Sequence, residues 1–326
     1  MHMDHPLSEF DRSRLKLASL NQRKHNLNLS HVLPLRPSSY VEETFQTVAS
    51  KILTAKSNGS ATILMMGAHV LRAGVQRFLI SLMEEGFLDC IAVNGAVVIH
   101  DFEFALIGET TESVTPYIRE GSFGLWQETG RINDIVSLAS KDKMGLGEAI
   151  GRVIEGEHFP YRDISIFAAG YRLGIPITVH VGIGYDIVHE HPNCDGAAYG
   201  QTSYTDFLRF TKVLESLEGG VLMNFGSSVM APEVYLKALA MVRNVARQEG
   251  RSVHRFTSLV CDLIDLPANY REQVTPNHPL YYFRPWKTML VRTITDGGES
   301  FYVRGHHAET VPQLWTAISH KKPKDI

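Results

Sequence analysis

Ala61-Thr62-Ile63-Leu64-Met65-Met66-Gly67-Ala68-His69-Val70-Leu71-Arg72-Ala73-Gly74 is the stretch that decides the fold. Its first half is an apolar run closed by a small-residue turn, and Val70 to Met83 then repeats apolar residues at helical spacing, so a buried strand, a tight turn and a helix follow. Leu88-Asp89-Cys90-Ile91-Ala92-Val93 has the length and β-branched content of a second buried parallel strand, and it too stops at small residues, Asn94-Gly95-Ala96. Together they make a βαβ unit. Ile99-His100-Asp101-Phe102-Glu103 sets ionisable side chains just past the second strand end, on the side where open α/β sheets bind ligands.

The same pattern recurs on either side of this unit. Ile175 to Val181 reads as a buried strand with Pro176 near its start, where no ladder donor is lost, and it runs into Gly182-Ile183-Gly184-Tyr185-Asp186. Gly219 to Phe225 is a strand ending in Gly226-Ser227-Ser228, a turn whose backbone N–H groups suit an anion or a ribose. Phe256 to Val260 and a strand ending at His306-His307 complete the set, with helices read at 41–55, 163–173, 204–217 and 310–318. A capping box within Ser38 to Glu43 opens the first of those helices. Strands alternating with helices imply an α/β protein with a doubly wound, mostly parallel Rossmann-like sheet and helices on both faces. Residues 1–34, polar and broken, read as an N-terminal arm, and 35–326 as one α/β domain. Gly145-Leu146-Gly147 follows no strand and is not read as a dinucleotide fingerprint.

These residues carry a resemblance. Met66 to Gly74, Asn94-Gly95-Ala96 and Asp101-Phe102-Glu103 are similar to the nucleotide-binding half of the deoxyhypusine synthase family, and the similarity runs from about Leu35 to Ala317. It implies a deoxyhypusine synthase-type fold, NAD as cofactor, a homotetramer with sites shared between subunits, and transfer of an aminobutyl group from a polyamine to a small amine through a lysine. On that resemblance the cofactor-binding set is Gly67, Ala68, His69, Arg72, Asn94, Gly95, Ala96, His100, Asp101, Glu103, Asn224, Gly226, Ser227, Ser228 and His306, and the catalytic set is Lys287, Asp186 and Trp286. The family's Trp-Gly-Lys segment is matched by Arg284-Pro285-Trp286-Lys287, with Trp and Lys adjacent, in what reads as a connecting segment. An amine on Lys287 becomes nucleophilic only if desolvation or a neighbouring cation lowers its pKa well below ~10.4.

Composition narrows the partners. A formal net charge of −3 gives no uniform basic field for nucleic acid or an anionic membrane. Three widely spaced cysteines without a Cys-x-x-Cys pair favour a reduced, cytoplasmic protein. No run of 18 apolar residues exists, and Met1 to Pro6 carries no signal-type apolar region, so no membrane span and no export are expected. His189, His191, His306 and His307 lack a metal-ligand spacing, and no metal is expected. Two classes stay open: an NAD-dependent amine transferase, or a nucleotide- or small-ligand-binding protein or hydrolase that kept the scaffold without the transfer chemistry.

Overall fold

The computed structural model describes residues 8–321; the first seven residues of the expected arm and the last five of the expected domain lie outside the described residues. Six strands build the main sheet: β1 (Thr62–Met66), β2 (Cys90–Asn94), β3 (Ile177–His180), β4 (Val221–Phe225), β5 (Thr257–Asp262) and β6 (Glu299–Arg304). They lie in the order β3-β2-β1-β4-β5-β6, every neighbouring pair parallel. The order reverses between β1 and β4, so the connections leaving these two strands run to opposite halves and open a crevice at their carboxyl ends.

Alternation along each strand feeds two cores. Ile63, Met65, Cys90, Ala92, Leu222 and Val260 pack on one side with Phe210, Tyr235 and Met289, while Leu64, Met66, Ile91, Val93, Met223 and Leu259 face Phe45, Phe78, Ile150, Phe167 and Leu314 on the other. The second side is layered by α1 (Glu43–Asn58), α2 (Ala68–Arg72), α3 (Gln76–Glu84), α4 (Gly95–Ile107), and beyond them α5 (Val114–Glu120), α6 (Arg131–Lys141), α7 (Leu146–Gly156) and α8 (Ile166–Leu173). The first side holds most of α9 (Gly196–Leu214), α10 (Met230–Gln248) and a π-helix at Pro285–Arg292; α11 (His307–Lys321) closes the chain against α1. A sheet covered on both faces is why its central strands read as largely apolar runs.

Two local readings change. The capping box at Ser38 to Glu43 does not form: α1 starts at Glu43, its N-cap Glu42 makes no side-chain cap, and the Glu42 N–H goes to Gln313 Oε1 at 3.0 Å. The helix read from Tyr204 begins at Gly196, where Asp195 caps it by accepting from the N–H groups of Ala197 and Ala198. Residues 8–34 lie along the helical layer: Leu27–Asn28 pairs antiparallel with Glu109–Thr110, Ala18 exchanges backbone bonds with Leu125 and Gln127, and Leu20 is buried. Cys90, Cys194 and Cys261 are free and buried. No helix among the described residues is long and apolar enough to cross a membrane.

Asp206 ties the edge strand down. Its Oδ2 accepts from Gly147 N in the first turn of α7 and from Val179 N on β3, both at 2.9 Å, and burial pushes its carboxyl up to about 7. Asp101, buried in α4, is likewise pushed up to about 7 by burial, against hydrogen bonds from Ser165 Oγ and from the N–H groups of Ile166 and Phe167. Both groups take up a proton in the folded state at a pH where unfolded carboxyls, with pKa near ~4, have none, so stability rises as pH falls from 8 toward 6.5. Below roughly 6.5 the unfolded chain protonates histidines that the fold keeps neutral, His100 at about 4 and His180 at about 3, so these two offset the two carboxyls and the gain levels off. Because one oxygen takes both bonds, Asp206→Asn keeps them and is expected to match the wild type at pH 6 and exceed it at pH 8. Asp206→Ala strands two buried donors at about 1–3 kcal/mol each. Denaturant unfolding at the two pH values checks both; equal loss in the two variants would contradict the account.

Candidate functional site at the strand-order reversal

Gly67 ends β1 and Gly226 ends β4. A Cβ on Gly67 would stand 2.6 Å from the Gly226 carbonyl oxygen, and Gly226 has φ +63° with a Cβ position 2.5 Å from His307 Nε2. Neither position admits a side chain without moving backbone or ring, so the two turns touch where the sheet reverses. The turns are also tied to the sheet: Gly67 N–H donates to Phe225 O at 3.1 Å and Gly226 N–H to Cys261 O at 3.0 Å.

Cavities open on both sides of this contact. One, of about 630 Å³, lies over the ends of β1, β2 and β3; the other, of about 680 Å³, lies over β5, β6 and the start of α11. His69, Arg72, Gly226 and Ser228 line both, so they form one crevice with two halves. Either half falls in the size range of small-molecule sites, roughly 300–1,000 Å³.

The first half is built from strand ends. Asn94-Gly95-Ala96 starts α4 directly after β2, and Asp186, from the loop after β3, lays its carboxylate against Gly95, where any Cβ would collide with it. Burial pushes Asp186 up to about 6. His100 lies one turn further along α4, its Nδ1 2.9 Å from Thr110 Oγ1, and burial pushes it down to about 4. His180, at the end of β3, is pushed down to about 3 by burial and sits 3.1 Å from Thr178 Oγ1. These imidazoles are neutral at neutral pH and serve as hydrogen-bonding groups.

At the reversal the residues depart from the glycine-rich phosphate fingerprint. Where that motif has its three glycines, this chain has Gly67, His69 and Arg72, and α2 is a single short turn. His69 Nε2 and Arg72 Nη1 are 3.3 Å apart, and burial, then Arg72, lowers the histidine's pKa. The N–H groups of Gly67, Gly226 and Ser227 are already donated within the protein, to Phe225 O, Cys261 O and Asn224 Oδ1, so the charge an anion would meet here is the guanidinium of Arg72, a side-chain cation in place of a bare-backbone cradle. Arg72 and the serine hydroxyls are the donors left at this crossing for a phosphate or a ribose.

The crevice brings together Gly67, Ala68, His69, Arg72, Asn94, Gly95, Ala96, His100, Asp186, Gly226, Ser227, Ser228 and His306. Asn224 is buried beneath it and shapes the turn, its amide bonded to the carbonyl and N–H of Ser227. Asp101 faces away and caps α8; Glu103 is buried in an ion pair with Arg23 and accepts from Thr110 and Thr129. Trp286 and Lys287 belong to the buried π-helix: the indole N–H donates to Tyr270 O, Lys287 Nζ stands 3.3 Å from the Tyr281 ring centre, and neither lines the crevice. His180, Gly182, Tyr185, Asp262 and His307 line it without having been singled out as binding residues. Each of them ends or closely follows a strand, which is the signal that finds them.

Six parallel strands in this order, helices on both faces and a two-sided crevice at the reversal define a Rossmann-like α/β fold. No family model and no curated protein matches the chain. Among solved structures, AgrE in ternary complex with ornithine and NAD+ superposes with TM-score 0.51 at 15% identity, over 88% of this chain and 34% of AgrE. A conserved protein from Methanococcus maripaludis S2 assigned as LOR/SDH superposes with TM-score 0.51 at 14% identity, over 88% of this chain and 72% of that one. The chain thus spans about a third of AgrE, and the similarity is one of fold. A protein from Entamoeba histolytica taken for a deoxyhypusine synthase aligns with TM-score 0.39 at 8% identity, too distant to carry the family resemblance further.

Proposed function

We propose that the crevice binds a nicotinamide dinucleotide, NAD, across the contact of Gly67 with Gly226, and that the protein is an NAD-linked enzyme acting on a small amine. The observation that carries the reading is that contact: two side-chain-free turns meeting at the order reversal, with a cavity on each side and Arg72 between them. AgrE, a third of which shares this fold, forms a ternary complex with ornithine and NAD+, and that supports it. When bound, the nicotinamide ring would accept or give a hydride. The chain's own residues orient it: Asn94 and Asp186 offer an amide and a carboxylate to a ribose, Ser227 and Ser228 offer hydroxyls at the turn, and Arg72 offsets phosphate charge. Titration calorimetry with NAD, NADH and adenine nucleotides is expected to give binding heat for the dinucleotides; no heat and no thermal shift with any of them would remove the reading.

The finer version, aminobutyl transfer through a covalent lysine, asks for an amine inside the crevice. No lysine lines either half of it, and Lys287 is engaged with Tyr281 on the π-helix. The geometry therefore favours redox chemistry without a lysine-bound carbon fragment. A homotetramer, and a reducing cytoplasmic setting, belong to the same reading. Exposed Tyr204 and Leu208 on α9 and Met241 and Val245 on α10 give apolar area for subunit contact, and the three thiols are free. Light scattering at micromolar concentration is expected to show an oligomer, and a monomer mass would contradict it.

A further inference from the structure

The amino end of α11 forms the wall of the crevice's second half. His307 opens this fifteen-residue helix, and the N–H groups of His306, His307 and Ala308 find no acceptor among the described residues. These three residues line the cavity together with Arg72. A helix start with free donors favours an anion by its partial positive charge. Independently, His307 is only 9% exposed, its Nδ1 has no hydrogen-bond partner, and its ring packs on Phe225 with Nε2 toward Gly226. Such a buried polar atom is costly to the fold unless something meets it. Asp262, His69 and His306 line the same cavity as His307; burial lowers the His307 pKa, with Asp262 acting against that and His69 and His306 adding to it.

The same cavity also holds negative charge. Asp262 Oδ1 accepts from Leu263 N–H at 2.7 Å and Ile264 N–H at 3.3 Å, while its other oxygen makes no hydrogen bond among the described residues, and Glu309 lies on the rim. A phosphate is repelled by a carboxylate at that place. A carboxylate with an ammonium one carbon away matches both signs.

We infer that this half of the crevice is an amino-acid subsite, in which the start of α11, His307 and Arg72 take a substrate carboxylate and Asp262 takes the neighbouring ammonium. The inference rests on the proposed NAD reading, and makes the amine substrate an amino acid in place of a plain polyamine.

L-Ornithine and putrescine differ by that carboxylate alone, which makes them the probes. Titrations of the full chain, with and without NAD, are expected to show ornithine binding at least tenfold tighter than putrescine. His307→Leu should erase the preference while His307→Gln, which keeps a donor, retains part of it, with melting curves confirming that both variants fold. Equal affinities, or no binding of ornithine, lysine or glutamate in either condition, would overturn the subsite. Inorganic phosphate that displaces NAD but leaves ornithine bound supports it; phosphate that binds at the α11 start while ornithine does not bind would assign those donors to the dinucleotide and overturn it. Heat from NAD in the same sample separates the two failures: dinucleotide binding without discrimination between the amines sinks this inference alone, and absence of NAD binding sinks the reading beneath it.

Discussion

Arg23→Ala is expected to destabilise the protein by about 3–5 kcal/mol, a large share of the roughly 5–15 kcal/mol that holds a typical domain. Arg23 and Glu103 form a two-pronged ion pair, Nη1 to Oε1 at 3.0 Å and Nη2 to Oε2 at 2.6 Å, with both side chains 1% exposed. Burial works against a charged Glu103, but the guanidinium and the hydroxyls of Thr110 and Thr129 hold its pKa below the usual carboxylate value. Removing the cation leaves a buried carboxylate with two hydroxyl donors, and the cost is that of the uncompensated charge. Arg23→Met combined with Glu103→Gln removes both charges and should recover much of the loss, because the desolvation penalty goes with them. Since Arg23 comes from the segment before α1, the same variant is expected to free that segment to proteolysis. Denaturant unfolding of the single and double variants checks this; a loss below about 1 kcal/mol in Arg23→Ala would contradict it.

Gly226→Val is expected to lower NADH affinity at least tenfold. The left-handed φ of +63° already disfavours a β-branched residue, and the side chain would press on His307 Nε2 from a Cβ position 2.5 Å away. The turn must move, and with it the carbonyl that faces Gly67. Stability should fall by only about 1–3 kcal/mol, the usual cost of one strained backbone position, so the variant remains folded for assay. Fluorescence titration with NADH against circular dichroism melting separates the two effects. Unchanged affinity in a folded variant would place the dinucleotide elsewhere.

The sheet was legible because its central strands are buried on both faces, so Thr62 to Met66 and Val221 to Phe225 are apolar at all positions but Thr62 and Asn224 and stop at small residues. Strand ends then point to most of the crevice. What could not be read came from contacts between distant parts of the chain. Glu42 looked like part of a cap, yet its N–H is taken by Gln313 from α11. Arg284 to Lys287 looked like a connecting segment, yet Pro285 starts a buried π-helix because Pro is tolerated in a first turn and Trp286, Met289 and Leu290 pack inward behind it. Asp101 and Glu103 stand in one charged cluster with His100, but on α4 a rotation of 100° per residue sends His100 to the crevice and the two acids into the helical layer. His306 and His307 are adjacent in sequence, and only the packing of α11 on Phe225 makes one exposed and the other buried.

Hydrogen–deuterium exchange with saturating NAD tests the central claim most directly, because it reports where the ligand sits. The account predicts added protection in three separate segments, 67–73, 94–100 and 226–231, which meet at the order reversal, with little change in the π-helix around Lys287. Protection confined to the π-helix, or absent from the Gly67 and Gly226 turns while NAD is bound, would contradict it.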